Sequence, residues 1–184
     1  MVAALTHTTA IVVIPPEESW TAIQAIRQQH DRKVRRWMPH ITLIYPFSPV
    51  EDFPVLREPL AAAVAGHPAF DMTLAEFKTF RHRGENYTIW LRPDPEQPLV
   101  ELFELLSRAL ERVSSSRRRF QPHLSVGQVQ GKARMERLVQ ELQTTWKPTS
   151  FRVDRVALIW RRDPPDDVFR VSETIPLRKP LSEK

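Results

Sequence analysis

The chain is written twice. The stretch "TTAIVVIPPEESWTAIQAIRQQHDRKVRRWMPHITLIYPF" lies against "NYTIWLRPDPEQPLVELFELLSRALERVSSSRRRFQPHLSVGQV" element by element. Each opens on a β-branched and aromatic run, Ile11 to Ile14 or Tyr87 to Leu91, which predicts a strand. Prolines follow, at 15–16 and between 93 and 98, where they punctuate without breaking an element. Helix-period apolar positions come next: Trp20, Ile23 and Ile26 in the first copy, and Leu99, Leu102, Phe103, Leu106 and Leu110 in the second. An arginine-rich loop then leads into a short strand. Downstream, "VLREPLAAAVAGHPAFDMTLAEFKTFRHR" and "KARMERLVQELQTTWKPTSFRVDRVALIWRR" both read helix then strand, and Phe169 to Pro176 adds a final strand. The order is β-α-β-α-β twice, plus one strand.

Such a duplication predicts an α+β fold: a bilobal, pseudo-twofold arrangement of antiparallel-rich sheets around a central cleft, with helices outside. Residues 1–177 form one domain, with lobes made from repeat halves of about 9–83 and 86–177. Residues 178–184, "RKPLSEK", read as a loose tail.

The short strand closing each copy carries an unusual polar pair. The first is Pro39-His40-Ile41-Thr42-Leu43 and the second is Pro122-His123-Leu124-Ser125-Val126. Side chains alternate between faces along a strand. His40 and Thr42 therefore share a face, as do His123 and Ser125, while the interleaved apolar residues pack beneath helices. By the same alternation Gly127 joins His123 on the cleft face, where a missing side chain lets a ligand approach, and Tyr45 faces away from His40. His7-Thr8-Thr9 matches the bare pattern too, but lacks the preceding proline, the apolar interleaving and a partner in the repeat. A single His-x-Ser/Thr carries little information; two in equivalent repeat positions point to one site built from two halves.

The 184 residues are 41% apolar and 27% charged, an ordinary globular balance. No apolar run approaches the roughly 20 residues of a membrane-spanning helix, and the N-terminal stretch lacks the basic flank of a signal peptide. The lack of cysteine excludes disulfides and thiolate metal sites and fits a cytoplasmic protein. Net charge is +5, which favours anionic partners. Arginines cluster just ahead of each motif, at Arg32, Arg35 and Arg36 and again at Arg117 to Arg119.

Two imidazoles facing each other can serve as proton acceptor and proton donor near neutral pH, the two roles that in-line displacement at phosphorus requires. The Thr42 and Ser125 hydroxyls are placed to bond the nonbridging phosphate oxygens. A zinc site would need three or four converging ligands, and no His-x-His, HExxH or cysteine pair is present. The site is therefore read as free of metal and of any cofactor.

With these motifs inside a duplicated β-α-β-α-β chain, the sequence resembles the two-histidine (2H) phosphoesterase superfamily. "PHITLIYPF" is most similar to the branch named after 2′–5′ RNA ligases. The resemblance spans about Thr9 to Leu177. It implies metal-independent opening of cyclic phosphodiesters, commonly 2′,3′-cyclic phosphates of RNA ends or nucleotides, with His40, Thr42, His123 and Ser125 as the catalytic set. It also implies that His123 activates water and His40 protonates the leaving oxygen. Serine at 125 departs mildly from threonine, since either offers a hydroxyl.

Other residues are candidates for handling the substrate. Tyr45, Tyr87 and Trp160, with Trp37 and Phe47, can stack on a base, though each is equally at home in a core. Arg81, His82, Arg161 and Arg162 end equivalent strands and are expected to ring the cleft. The expected partner is an RNA end or a small cyclic nucleotide, met by a monomer away from membranes. Two alternatives remain open at this stage: 2′–5′ RNA ligation, and a non-catalytic RNA-binding module.

Overall fold

A computed structural model describes residues 5–110 and 120–178. The elements follow the expected order. They are β1 (Thr9–Val13), α1 (Trp20–His30), β2 (Ile41–Ile44), α2 (Phe53–Val64), β3 (Phe70–Arg81), β4 (Asn86–Asp94), α3 (Gln97–Ala109), β5 (Leu124–Gln130), α4 (Lys132–Thr145), β6 (Thr149–Val153), β7 (Arg155–Trp160) and β8 (Arg170–Pro176). Two four-stranded antiparallel sheets result, in the orders β2-β1-β7-β8 and β5-β4-β3-β6. This is the pseudo-duplicated α+β architecture that the repeat implies.

The sheets do not divide along the repeat. β3, from the first half, pairs with β4 of the second, while β7, from the second half, pairs with β1 of the first. The region read as a single strand after α4 breaks at Asp154: β6 ends beside β3, and β7 continues into the other sheet. β3 and β6 run antiparallel around Met72 and Phe151, where the two halves meet. The added strand β8 covers the far side of β7, on the edge that β6 occupies in the other sheet.

The helices cross over in the same way. α1 packs on β5 and α3 on β2, so each motif strand is backed by the helix of the opposite half. One apolar core fills the helix side of both sheets, drawing Ile11, Val13, Ile41 and Leu158 from one and Ile89, Leu91, Leu124 and Leu74 from the other. In α3 the expected stripe is buried at Leu99, Leu102 and Leu106. In α1 the buried residues are Ile23 and, unexpectedly, Arg27. A smaller cluster of Ala10, Val12, Ala157, Ile159 and Phe169 covers the opposite face of the first sheet, with Trp37 and Met38 against it. That face carries the first motif. Among the described residues, no helix is long and apolar enough to cross a membrane.

Of the loose tail, Arg178 is held by backbone bonds, donating to the His67 carbonyl and accepting from Ala69. Residues 179–184 lie outside the described residues, as do Arg117 to Arg119.

Candidate active site

Both motif strands carry the same irregularity. In β2, Ile41 pairs with Val13, Thr42 with Val12, and Ile44 with Ile11, so Leu43 has no partner. In β5, Leu124 pairs with Leu91, Ser125 with Trp90, and Gly127 with Ile89, which leaves Val126 unpaired. Each is a one-residue bulge placed directly after the hydroxyl residue. Up to that point the alternation holds. Val12 and Trp90, the partners of Thr42 and Ser125, lie on the faces turned away from the main core, and the histidines lie there as well.

Beyond the bulge the parity inverts, and two expectations are corrected. Tyr45 is carried to the His40 side: it is 42% exposed, and its ring meets Trp37 edge-on at 5.5 Å. Gly127 is carried to the helix side, opposite Ile89, where a Cβ would stand 2.6 Å from the His30 Cβ of α1. Its missing side chain makes room for the helix rather than for a ligand.

The two histidines are held alike. His40 Nδ1 lies 2.7 Å from the Met38 carbonyl, and His123 Nδ1 lies 2.9 Å from the Gln121 carbonyl. A carbonyl only accepts, so Nδ1 carries the proton in both rings and each neutral Nε2 keeps a free lone pair. His40 stacks on Trp37 at 4.6 Å, Trp37 stacks on Phe169 at 3.8 Å, and the Arg161 guanidinium lies over Phe169. His123 is walled edge-on by Phe80 at 4.9 Å and Trp90 at 5.9 Å. Among the described residues, neither the Thr42 nor the Ser125 hydroxyl has a hydrogen-bond partner. Both are thus open to a ligand.

Packing sets the electrostatics. Burial pushes His40 down from 6.5 to about 4; the Met38 carbonyl opposes this, while the Arg27 and His123 charges add to it. Burial also lowers His123, opposed by the Gln121 carbonyl. β2 and β5 lie in contact, which brings the two motifs to one junction, and the His123 charge adds to the lowering at His40. In the free protein at neutral pH both imidazoles are neutral, and His40 is strongly resistant to charging.

Arg161 belongs to this region. It is largely covered, and one nitrogen donates to the His7 carbonyl, which also accepts from the Tyr45 hydroxyl. Other expected residues fall elsewhere, because strand alternation sends them to the opposite face. Tyr87 is 5% exposed and forms part of the core between sheet and helices. Arg81 opposes Tyr87 across the β3–β4 hairpin, whereas its neighbour Phe80 faces His123. Trp160 follows the cleft-facing Ile159 and so points to the other side, under the Arg162 guanidinium. Phe47 is fully buried core. His82, on the hairpin, bonds the Thr88 hydroxyl.

The arginine loop also has a different occupation. Arg35 and Arg36 both pair with Asp167, a buried carboxylate, and the Arg36 carbonyl accepts from Phe169 N–H at 2.8 Å. These cations tie the loop before the first motif to the segment before β8. Sequence reasoning missed three contributors: Arg27, Asp31 and Gln128. Arg27 interrupts an otherwise apolar face, and its only local signal is an Asp four residues on.

The family model for the 2′-5′ RNA ligase superfamily matches residues 15–165. A Staphylococcus aureus (strain Newman) protein, itself assigned as a phosphoesterase by inference, is 23% identical over 168 residues, covering 91% of this chain and 97% of its own. Among solved structures, TT0787 of Thermus thermophilus superposes with a TM-score of 0.64 at 20% identity, over 94% of this chain and 98% of its own. E. coli LigT complexed with 3′-AMP superposes with a TM-score of 0.64 at 19% identity, over 93% of this chain and 98% of its own. At these identities the structural likeness speaks for the fold.

Proposed function

The chain belongs to the 2′-5′ RNA ligase superfamily of two-histidine phosphoesterases, and we propose that it opens cyclic phosphodiesters, with 2′,3′-cyclic phosphates of RNA ends or nucleotides as substrates. One observation carries this reading. Each motif presents an imidazole whose Nδ1–H is spent on its own backbone, leaving Nε2 for proton transfer beside an unpartnered hydroxyl. One Nε2 takes a proton from water as its oxygen attacks phosphorus. The P–O bond to one ribose oxygen breaks, and the other imidazole, charged, delivers a proton to that oxygen. The product is a nucleoside monophosphate ester. Thr42 and Ser125 donate to the nonbridging oxygens as charge builds there. LigT bound to 3′-AMP supports a nucleotide of that size as an occupant.

The donor must be charged before it can act, and the resting site resists this. A phosphate dianion or monoanion between the rings favours imidazolium and so supplies what burial removes. The resemblance assigns the leaving group to His40, the harder ring to charge in the free protein. The resting electrostatics favour the opposite order, with His40 as the base. Tyr45, exposed beside Trp37 and bonded to the His7 carbonyl, is the proposed platform for the base.

The test is a turnover screen with EDTA present. It covers 2′,3′-cyclic mononucleotides, oligonucleotides ending in a cyclic phosphate, cyclic dinucleotides and 2′–5′ linked oligomers. Release of a phosphomonoester from at least one cyclic substrate is expected. No turnover of any, or turnover only after a divalent ion is restored, counts against the proposal.

A further inference from the structure

Arg27 and Asp31 are charged, buried and outside the proton-transfer pair. Arg27 is 2% exposed, yet every arm of its guanidinium is bonded. Nε donates to Asp31 Oδ2 at 2.9 Å, Nη1 to Gln24 at 2.9 Å, and Nη2 to the Trp37 carbonyl at 2.9 Å. Asp31 Oδ1 accepts from Lys33 N–H at 2.9 Å and from Gln128 Nε2 at 3.2 Å. The Gln128 carbonyl oxygen of the side chain accepts in turn from Arg32 N–H at 3.0 Å. Gln128 stands on β5, three residues after Ser125. A continuous hydrogen-bonded path thus leads from the second-motif strand to the backbone at Trp37. Trp37 stacks on His40, and the next residue, Met38, supplies the carbonyl that holds the His40 ring.

We propose that Gln128, Asp31 and Arg27 form a positioning strut that sets His40 relative to the second motif, so that the two imidazoles reach one phosphate together. Two features favour this over simple anchoring of α1. A buried ion pair adds little stability over an apolar pair of the same size, and its best-attested use is to impose one register. The path also ends on Trp37, which stacks on the His40 ring and directly precedes the residue whose carbonyl holds it. Gly127 belongs to the arrangement, because only a missing side chain lets the end of α1 close on β5 and bring Asp31 to Gln128.

The inference rests on the proton-transfer role proposed for His40, so its test needs a readout apart from turnover. Nitrogen-15 imidazole spectra of the free protein report the His40 tautomer and titration directly. Wild type is expected to show a single Nδ1–H tautomer. Gln128→Ala removes the link while leaving the ion pair in place; it should broaden or shift the His40 signals. On the best cyclic substrate it should lower kcat about tenfold to a hundredfold, the scale of a small misplacement, with little change in KM. Among the described residues, the charged groups that act on His40 are Arg27 in α1, Asp31 just after it, and His123 just before β5. Asp31→Asn should lower the His40 titration midpoint and Arg27→Met should raise it, though the latter leaves a buried carboxylate alone and endangers folding. Gln128→Ala with an unaltered His40 spectrum overturns the strut, even if its melting temperature falls. Should no cyclic substrate turn over in wild type, the proposed function fails, while the spectra still decide on the strut.

Discussion

Replacing His40 with asparagine should remove an acid liability built into the fold. The imidazole is pushed from 6.5 to about 4, chiefly by burial. Between those values the unfolded chain binds the proton and the folded one does not, so stability rises with pH across this window and is lost as pH falls from about 6.5 toward 4. At pH 5 the unfolded chain is almost fully protonated at this position and the folded chain about one-tenth so, which costs the native state about 2 kcal/mol relative to pH 7.5. Asparagine keeps a donor for the Met38 carbonyl and has no proton to gain. Urea unfolding at pH 7.5 and 5.0 measures the effect. Wild type should lose about 2 kcal/mol more than His40→Asn between the two conditions. His123 is depressed in the same direction but is present in both proteins, so its share cancels. A difference below about 0.5 kcal/mol, comparable to the extrapolation error, would show that the His40 ring is not desolvated as described.

The remaining expectations are simpler to test. His40→Ala and His123→Ala should each reduce turnover of the best cyclic substrate by about 10²–10⁴-fold, whereas Thr42→Val and Ser125→Ala, which keep the proton path, should cost less; equal losses for hydroxyl and imidazole variants would contradict the assigned roles. Gly127→Ala should destabilise by about 1–3 kcal/mol in urea unfolding, because its Cβ would sit 2.6 Å from His30 Cβ and neither helix nor strand can yield freely; a neutral result would mean that α1 has room to shift. Burial raises the Asp167 carboxyl, but hydrogen bonds from Arg35 and Arg36 more than reverse this and hold it below the usual range. Its pairing stabilises the fold above the ordinary carboxylate range and is lost as pH falls through the lowered value. Asp167→Asn should therefore flatten that acid limb in a thermal melt, and an unchanged limb would disconnect the arginine loop from stability.

Much of the architecture could be read from the chain. The duplicated order of elements and the two His-hydroxyl pairs are legible in the internal repeat, and the apolar stripe of α3 in its helical period. His40 with Thr42, and His123 with Ser125, share a face because a single residue separates each pair and side chains two positions apart in a regular strand point the same way. Arg161 follows the same rule from β7. The residues around them were harder to place. Tyr87 and Arg81 sit near strand ends, where an alternating run does not say which face is the cleft, and Trp160 shares that ambiguity.

Tertiary structure decided the rest, for reasons that no local pattern holds. The bulges at Leu43 and Val126 are properties of strand pairs rather than of single strands. One extra residue per pair reversed Tyr45 and Gly127 together, bringing the ring to the site and giving the glycine to α1. The exchange of β3 and β7 between sheets follows from the antiparallel meeting of β3 with β6, between residues some eighty positions apart. Arg27 looks like a solvated helix charge until Asp31, Gln24 and the Trp37 carbonyl close around it. A motif is written by neighbours in sequence, so the chain announces it; burial, register and the partners of a charge are set by residues far away, and only folding brings them together.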